Sequence, residues 1–435
     1  MESRPLALTR TPADVLACLA GEPGAFALPV PDAAHPVTLI GCGPVDELRI
    51  EPHTPDPLDA IARFVDATRA SAAPFPLGGG VIACLAYELG ASTVPGLRLP
   101  PIATPVAILR RYDPLLVFEH RERRWTVVGS HGAAPDWLER ITGPIPGWRG
   151  PLAEQELVAG FHREAYRAAI ARIHAYLRAG DVYQVNLTQP FTVPLVGPAW
   201  ALYARLASGH PAPYTAYLDL GEVQVVANSP ELFLRRRGSH LETHPIKGTR
   251  PRGTDAERDR ALVAELIADA KERAEHVMIV DLERNDFGRI AETGSIRVPS
   301  HARVTTHPTV HHLVSVVTAQ LRQDAGWREI LAATFPGGSI TGAPKRRAME
   351  IIAELEPTPR GFYTGALGAL DPRGHCELAL PIRTGIVRDG ILSYHAGGGI
   401  VVDSDADREL DECWLKTAGL RAALADDRLD QCSSG

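Results

Sequence analysis

Cysteine is scarce in this chain: Cys18, Cys42, Cys84, Cys376, Cys413 and Cys432 are the only six in 435 residues. None forms a C-x-x-C pair or a zinc-ligand spacing, which excludes a cysteine-built metal centre and a disulfide framework and fits free thiols in a reducing compartment. Charge of one sign is also lacking. Lys and Arg number 45 against 52 Asp and Glu, a net charge of −7, which argues against a general nucleic-acid binder or a polybasic membrane partner. No stretch approaches the ~18 consecutive apolar residues of a membrane span. The first ten residues, M-E-S-R-P-L-A-L-T-R, lack the apolar core of a secretory signal, so a cytoplasmic location is expected. Internal repeats and low-complexity segments are missing as well. Two glycine-rich stretches fail the nucleotide tests. In F-P-G-G-S-I-T-G-A-P-K the lysine, Lys345, does not directly follow the last glycine, and in A-G-G-G-I-V the third fingerprint glycine is replaced by Val402.

What is present is a globular composition, 45% hydrophobic and 22% charged, on a chain long enough to bury a large core. Residues 1 to about 150 are rich in Pro and Gly, with short apolar runs at Pro105–Leu109, Leu115–Phe118 and Trp125–Val128 that predict mainly antiparallel strands. The run Gly78-Gly79-Gly80 before V-I-A-C-L reads as tight packing, and the Pro- and Gly-rich stretch 141–151 as a connection. Beyond Phe161, the spacing of Tyr166, Ile170, Ile173 and Leu177 predicts a helix capped by Gly180. A strand with Gln184, Asn186 and Thr188 on one face follows. Thr254 and Glu257 read as a capping box before a helix burying Leu262, Val263, Leu266 and Ile267. The run M-I-V-D-L at 278–282 reads as a short buried strand after a helix carrying Glu272 and Glu275.

Three features carry chemistry. Lys247 lies in L-E-T-H-P-I-K-G-T-R-P-R, where Pro245 and Pro251 disfavour helix and Gly248 frees the backbone, so a strand end or tight turn should present it beside Thr249, Arg250 and Arg252. Such a lysine is either an anion contact or an amine nucleophile. Glu231 interrupts two apolar strands, and burial there would raise its pKa toward the range useful for proton transfer. Glu272 with Glu275, and Glu409 with Glu412 and Lys416, share helix faces; two E-x-x-E pairs offer the hard oxygens that magnesium prefers, provided they meet in space.

These segments together resemble the chorismate-utilising enzymes, a family that includes anthranilate, aminodeoxychorismate, isochorismate and salicylate synthases. The resemblance rests on D-V-Y-Q-V-N-L-T-Q, A-N-S-P-E, P-I-K-G-T-R-P-R, A-E-H-V-M-I-V-D-L-E-R-N-D-F-G-R-I, F-P-G-G-S-I-T-G-A-P-K, R-G-F-Y-T-G, P-I-R-T and A-G-G-G-I-V-V-D-S-D, and is strongest over residues 179–418. It implies an α+β fold with two large antiparallel sheets in a layered core, helices outside and a central cleft. Residues 1–150 would be a β-rich region of the same body and 151–430 the chorismate-binding region. It further implies Mg²⁺ held by Glu275 and Glu412, with Glu272 and Glu409 beside them. Arg383, Tyr363 and Lys416 would hold substrate carboxylates with amides of Gly397 and Gly399. Thr249 and His312 would be further contacts, and Glu231 the general acid.

Two positions separate the branches. Gln184, expected among the substrate-binding residues, stands where the isochorismate and salicylate synthases have a water-activating lysine, and Lys247 stands where anthranilate synthases read P-I-A-G-T. The resemblance therefore implies the aminodeoxychorismate branch, with Lys247 as covalent nucleophile, its pKa lowered from ~10.4 by desolvation and by Arg250 and Arg252. None of the cysteines sits in a glutaminase loop, so a separate glutamine amidotransferase subunit is expected to supply ammonia, with the product passing to a lyase that makes p-aminobenzoate for folate. The rival readings are an anthranilate synthase and a non-catalytic homologue that only docks the glutaminase.

Overall fold

The short strands of the N-terminal third do not close on one another; they enter two antiparallel sheets shared with the rest of the chain. In the computed structural model, which describes residues 2–32, 35–68, 80–129, 137–307 and 310–425, one sheet has twelve strands and the other ten. Phe26–Val30 pairs with Tyr214–Asp219 in the first sheet, and Val81–Leu85 with Ala366–Leu370 in the second. The first sheet continues through Gln224–Ser229, Thr384–Arg388, Ile391–Ile400 and Gln184–Pro194; the second runs from Ile246–Pro251 through Val310–Gln320 to Leu232–Arg237 and beyond. This is the α+β architecture expected.

Period-two alternation explains the layering. Phe26, Leu28, Leu218 and Val225 of the first sheet pack with Ile82, Cys84, Ile108 and Leu367 of the second in one buried cluster. The intervening residues, Ala27 and Ile40 in one sheet and Val81, Ala83 and Leu85 in the other, belong to the larger cluster containing Leu16, Leu19, Leu202 and Leu206 of the outer helices. Gly80 supports close packing, since a Cβ there would lie 2.3 Å from the Leu370 carbonyl; Gly78 and Gly79 fall outside the described residues. Cys42, Cys84, Cys376 and Cys413 are buried free thiols and Cys18 is half-buried; Cys432 is outside the described residues. No helix among the described residues is long and apolar enough to cross a membrane.

The helix Arg163–Ala179 ends at Gly180 in the left-handed conformation (φ 79°), as its spacing predicted. Three local readings need correction. M-I-V-D-L is not a strand but the middle of the helix Ala270–Gly288. Its buried face, Glu275, His276, Ile279, Val280, Glu283 and Phe287, has helical period but is partly acidic, which hid it from an apolar pattern. The helix Ala256–Ala268 is capped by Asp255 rather than Thr254: the Asp255 carboxylate accepts the amides of Glu257 and Arg258. That helix buries Leu262 and Leu266 and leaves Ile267 49% exposed.

A buried ion pair joins the strand Gln184–Pro194 to the glycine-rich turn before the helix Lys345–Leu355. The Arg360 guanidinium meets the Glu356 carboxylate at 2.7 and 2.8 Å. It also donates to the Asn186 carbonyl at 2.7 Å and the Ile340 carbonyl at 2.8 Å, with its Cζ 4.7 Å from the Tyr87 ring centroid. Glu356 in turn accepts the Thr188 amide and hydroxyl at 2.8 and 2.9 Å. Removing one partner leaves a buried charge uncompensated. Arg360→Met should therefore cost about 3–5 kcal/mol of stability by denaturant titration. The double variant Arg360→Met/Glu356→Gln should cost less than the sum of the single changes.

Candidate active site

The cleft lies where the ends of both sheets meet the helices Ala270–Gly288 and Ala406–Lys416, and encloses ≈ 1230 Å³. Its floor is the strand Ile391–Ile400, in which Gly397, Gly398 and Gly399 leave the backbone bare. The space a side chain would need there is taken by the site itself. A Cβ on Gly399 would stand 2.7 Å from Gln184 Nε2 and 2.8 Å from Lys247 Nζ. One on Gly398 would stand 3.4 Å from Glu409 Oε2 and 3.6 Å from both Glu412 Oε1 and Lys416 Nζ. Gly397 and Gly399 are ladder positions opposite Thr188 and Asn186, and the Gly397 carbonyl accepts Lys416 Nζ at 2.6 Å.

Lys247 sits on the strand Ile246–Pro251, whose register against Val310–Gln320 shifts between Lys247 and Thr249. Gly248 at the shift has φ +76°, and a Cβ there would meet Leu266 at 2.8 Å. The irregularity lets Lys247 and Thr249 both line the cleft. Thr249 Oγ1 is 2.9 Å from His312 Nδ1. Lys247 Nζ is 3.2 Å from Glu275 Oε2. The expectation that Arg250 and Arg252 act on Lys247 as bare cations is not met. Arg250 pairs with Asp269 at 2.9 Å and Arg252 with Asp259 at 2.8 Å, whereas the carboxylate within ion-pair distance of Lys247 is Glu275.

Glu231 is 5% exposed and its Oε1 accepts the Ser339 hydroxyl at 2.7 Å. Burial pushes its pKa up to about 7, against the Ser339 hydrogen bond, the Ile246 amide and the Lys247 charge. Arg383 adopts φ 50°, a left-handed conformation that costs energy in a non-glycine residue, and lines the same cleft. Burial and the Arg383 charge drive the His312 pKa down to about 3. His395 is lowered likewise to about 3, by burial first and then Arg360. Both imidazoles are neutral at pH 7. His395 stacks on Tyr363 with centroids 5.0 Å apart. His312 Nε2 and His395 Nδ1 are buried without a hydrogen-bond partner. Gln184 is fully buried and does not line the cleft; both its amide atoms lack partners.

The two acidic pairs come together. Glu272 and Glu275 from one helix face Glu409 and Glu412 from the other across the cleft, all four lining it. Lys271 Nζ is 3.8 Å from Glu275 Oε1 and 3.6 Å from Glu409 Oε1, so one positive charge already bridges the helices. Lys416 pairs with Glu412 at 2.7 Å. Burial and the charge of Glu275 raise the Glu272 pKa. Burial also raises Glu409, with Glu412 adding to it and the Ser404 hydrogen bond opposing. For Glu412 burial is outweighed by Lys416, and its pKa falls. Among the described residues no three such ligands form a ready metal cage. The donor set nevertheless suits a hard cation, since magnesium takes one or two carboxylates with water and an anionic ligand, and an ammonium already occupies the position between them.

Sequence reading missed Ser339, Lys271, His395 and Glu283. Ser339 and Glu283 stood inside quoted motifs without a role, Lys271 adjoins Glu272, and His395 lies two residues before the glycine run.

The chorismate binding enzyme family profile covers residues 25–422. Anthranilate synthase component 1 of Thermus thermophilus is 42% identical over 385 residues, 85% of this chain and 83% of that protein. Aminodeoxychorismate synthase component 1 of Klebsiella aerogenes is 41% identical over 352 residues, 78% and 76% of the two chains. The crystal structure of anthranilate synthase component I from Streptococcus pneumoniae superposes with a TM-score of 0.78 at 30% identity, covering 88% of this chain and 92% of that one. A carboxylate- and cation-lined cleft on this fold, with a profile match over nearly the whole length, identifies the chain as a member of the chorismate-binding enzyme family.

Proposed function

We propose that this chain is an aminodeoxychorismate synthase component I, converting chorismate and ammonia to 4-amino-4-deoxychorismate. The observation that carries the reading is Lys247 Nζ, which lies over Gly399, 2.8 Å from where a Cβ would stand, in the same cleft as the protonatable Glu231. Relatives at 42% and 41% identity bear the names of two different synthases, so overall similarity does not choose between them. The lysine is the feature that favours amination at carbon 4.

In this reading the Lys247 amine adds to carbon 2 of chorismate as the 4-hydroxyl leaves, and Glu231 gives that hydroxyl its proton, leaving as water. Ammonia then adds at carbon 4, the double bond shifts back, and the lysine is expelled, so the enolpyruvyl ether stays intact. Before it attacks, Lys247 must leave its contact with Glu275. Arg383, Lys416 and Tyr363 hold the substrate carboxylates, with neutral His312 and Thr249 beside them. Glu275 and Glu412, flanked by Glu272 and Glu409, would hold Mg²⁺, which when bound neutralises the ring carboxylate. The words "component 1" in both relatives' names support a separate second component, which we take to be a glutamine amidotransferase supplying ammonia, with p-aminobenzoate and folate downstream.

Purified protein given chorismate, Mg²⁺ and ammonium should yield the amine that keeps its enolpyruvyl group, read by mass spectrometry. Anthranilate with free pyruvate would instead assign the other synthase and remove Lys247 as the discriminator. Lys247→Ala should abolish most amination while chorismate binding, measured by calorimetry, persists. Glu231→Gln should lower kcat about 10²–10⁴-fold. Because an acid must carry its proton, the wild-type rate should fall as pH rises through about 7, the raised Glu231 value. For the metal, Mg²⁺ should raise Tm in wild type and fail to do so in Glu275→Gln and Glu412→Gln.

A further inference from the structure

Behind the wall of the cleft lies a second buried carboxyl that the reaction does not use. Glu283 projects from the helix Ala270–Gly288 and is 4% exposed. Its Oε1 accepts the Gly338 amide at 3.1 Å. Gly338 opens the short turn Gly338–Ile340, and the next residue, Ser339, donates to Glu231 at 2.7 Å. The turn is therefore gripped on one side by Glu283 and faces Glu231 on the other. Gly338 has to be glycine for this approach: a Cβ would lie 2.6 Å from Leu282 Cδ2 and 3.1 Å from Glu283 Oε1.

We propose that Glu283 is a positioning residue for Glu231: by accepting the Gly338 amide from behind, it fixes the direction from which the Ser339 hydroxyl meets the acid. The charged neighbourhood supports an effect through geometry rather than charge. Glu283 faces Asp286 on its own helix, Lys345 from the helix Lys345–Leu355 and Glu231 across the turn. Lys345 is committed to Asp286 at 2.6 Å. Burial, with Asp286 next, raises the Glu283 pKa. Glu231 itself faces Ser339, the Ile246 amide and Lys247. Of these, Ser339 is the one whose placement depends on the turn. A hydrogen bond to an ionised carboxylate lowers its pKa, so a misplaced Ser339 raises the Glu231 value.

The test titrates Glu231 by carbon-13 NMR of protein labelled at glutamate Cδ, the resonance being assigned by its loss in Glu231→Gln. Ser339→Ala should raise the Glu231 midpoint by about one unit. Glu283→Met, of similar volume but without an acceptor, should shift it the same way, and Glu283→Gln, which keeps an acceptor oxygen, should leave it near wild type. The double variant Glu283→Met/Ser339→Ala should shift no further than Ser339→Ala alone. An unmoved midpoint in Glu283→Met, an equal shift in Glu283→Gln, or additive shifts in the double variant each overturn the proposal. Slow hydrogen exchange of the Gly338 amide in the unmutated protein is expected too and needs no variant; exchange at the rate of an open loop also overturns it. The kinetic counterpart, a high-pH limb of kcat moved upward in the same order with KM unchanged, rests on the proposed function. Absence of chorismate turnover would refute that function while the titration still decides the role of Glu283.

Discussion

The Arg360–Glu356 pair is the constraint on which the site geometry depends. Each partner is almost fully buried, and neither could be so without the other. Together they satisfy backbone groups just beyond the short ladder that pairs these two segments: the Asn186 carbonyl and Thr188 amide of one strand, and the Ile340 carbonyl of the glycine-rich turn. The Arg360 amide also reaches Glu88 at 2.9 Å, so the N-terminal third is fastened to the same node. Register of the Gln184–Pro194 strand, direction of the Ser339 turn and seating of the N-terminal strands are thus linked through one residue, Arg360. Such a network specifies one arrangement because every alternative leaves a charge or a carbonyl unsatisfied.

Around that node the cleft keeps its charges in balance. Lys247 and Lys416 each contact one of the four facing glutamates within 4 Å and Lys271 contacts two, while among the described residues Arg383 has no carboxylate partner. The cleft thereby holds its own counter-ions.

Much of this was legible in the residues. The period-two runs and turn residues announced antiparallel sheets, and the Gly180 cap closed its helix where the spacing said it would. Lys247, read at a strand end or tight turn, is the second residue of the strand Ile246–Pro251; the register shift beside it was not foreseen. What was illegible shares one cause: the sequence shows which residues are charged but not which charges meet. Arg250 and Arg252 read as cations acting on Lys247, yet fold onto Asp269 and Asp259. The helix holding Glu275 was cut short on paper because its buried face is partly acidic. Glu283 could not be singled out at all, because its importance arises from Gly338, 55 residues away in the chain.

The glycine floor has a thermodynamic consequence. Three successive residues without side chains offer an incoming ligand no rotamers to freeze, and the surrounding lysines are already held in ion pairs. The ordering that association normally demands, about 0.5–1.5 kcal/mol for each mobile side chain immobilised, is therefore small along this surface. It is incurred earlier, when glycine's wide backbone freedom is lost on folding. The strand thus transfers conformational entropy from the binding step to the folding step, and leaves a surface shaped by main-chain hydrogen bonds and the Lys416 contact to Gly397.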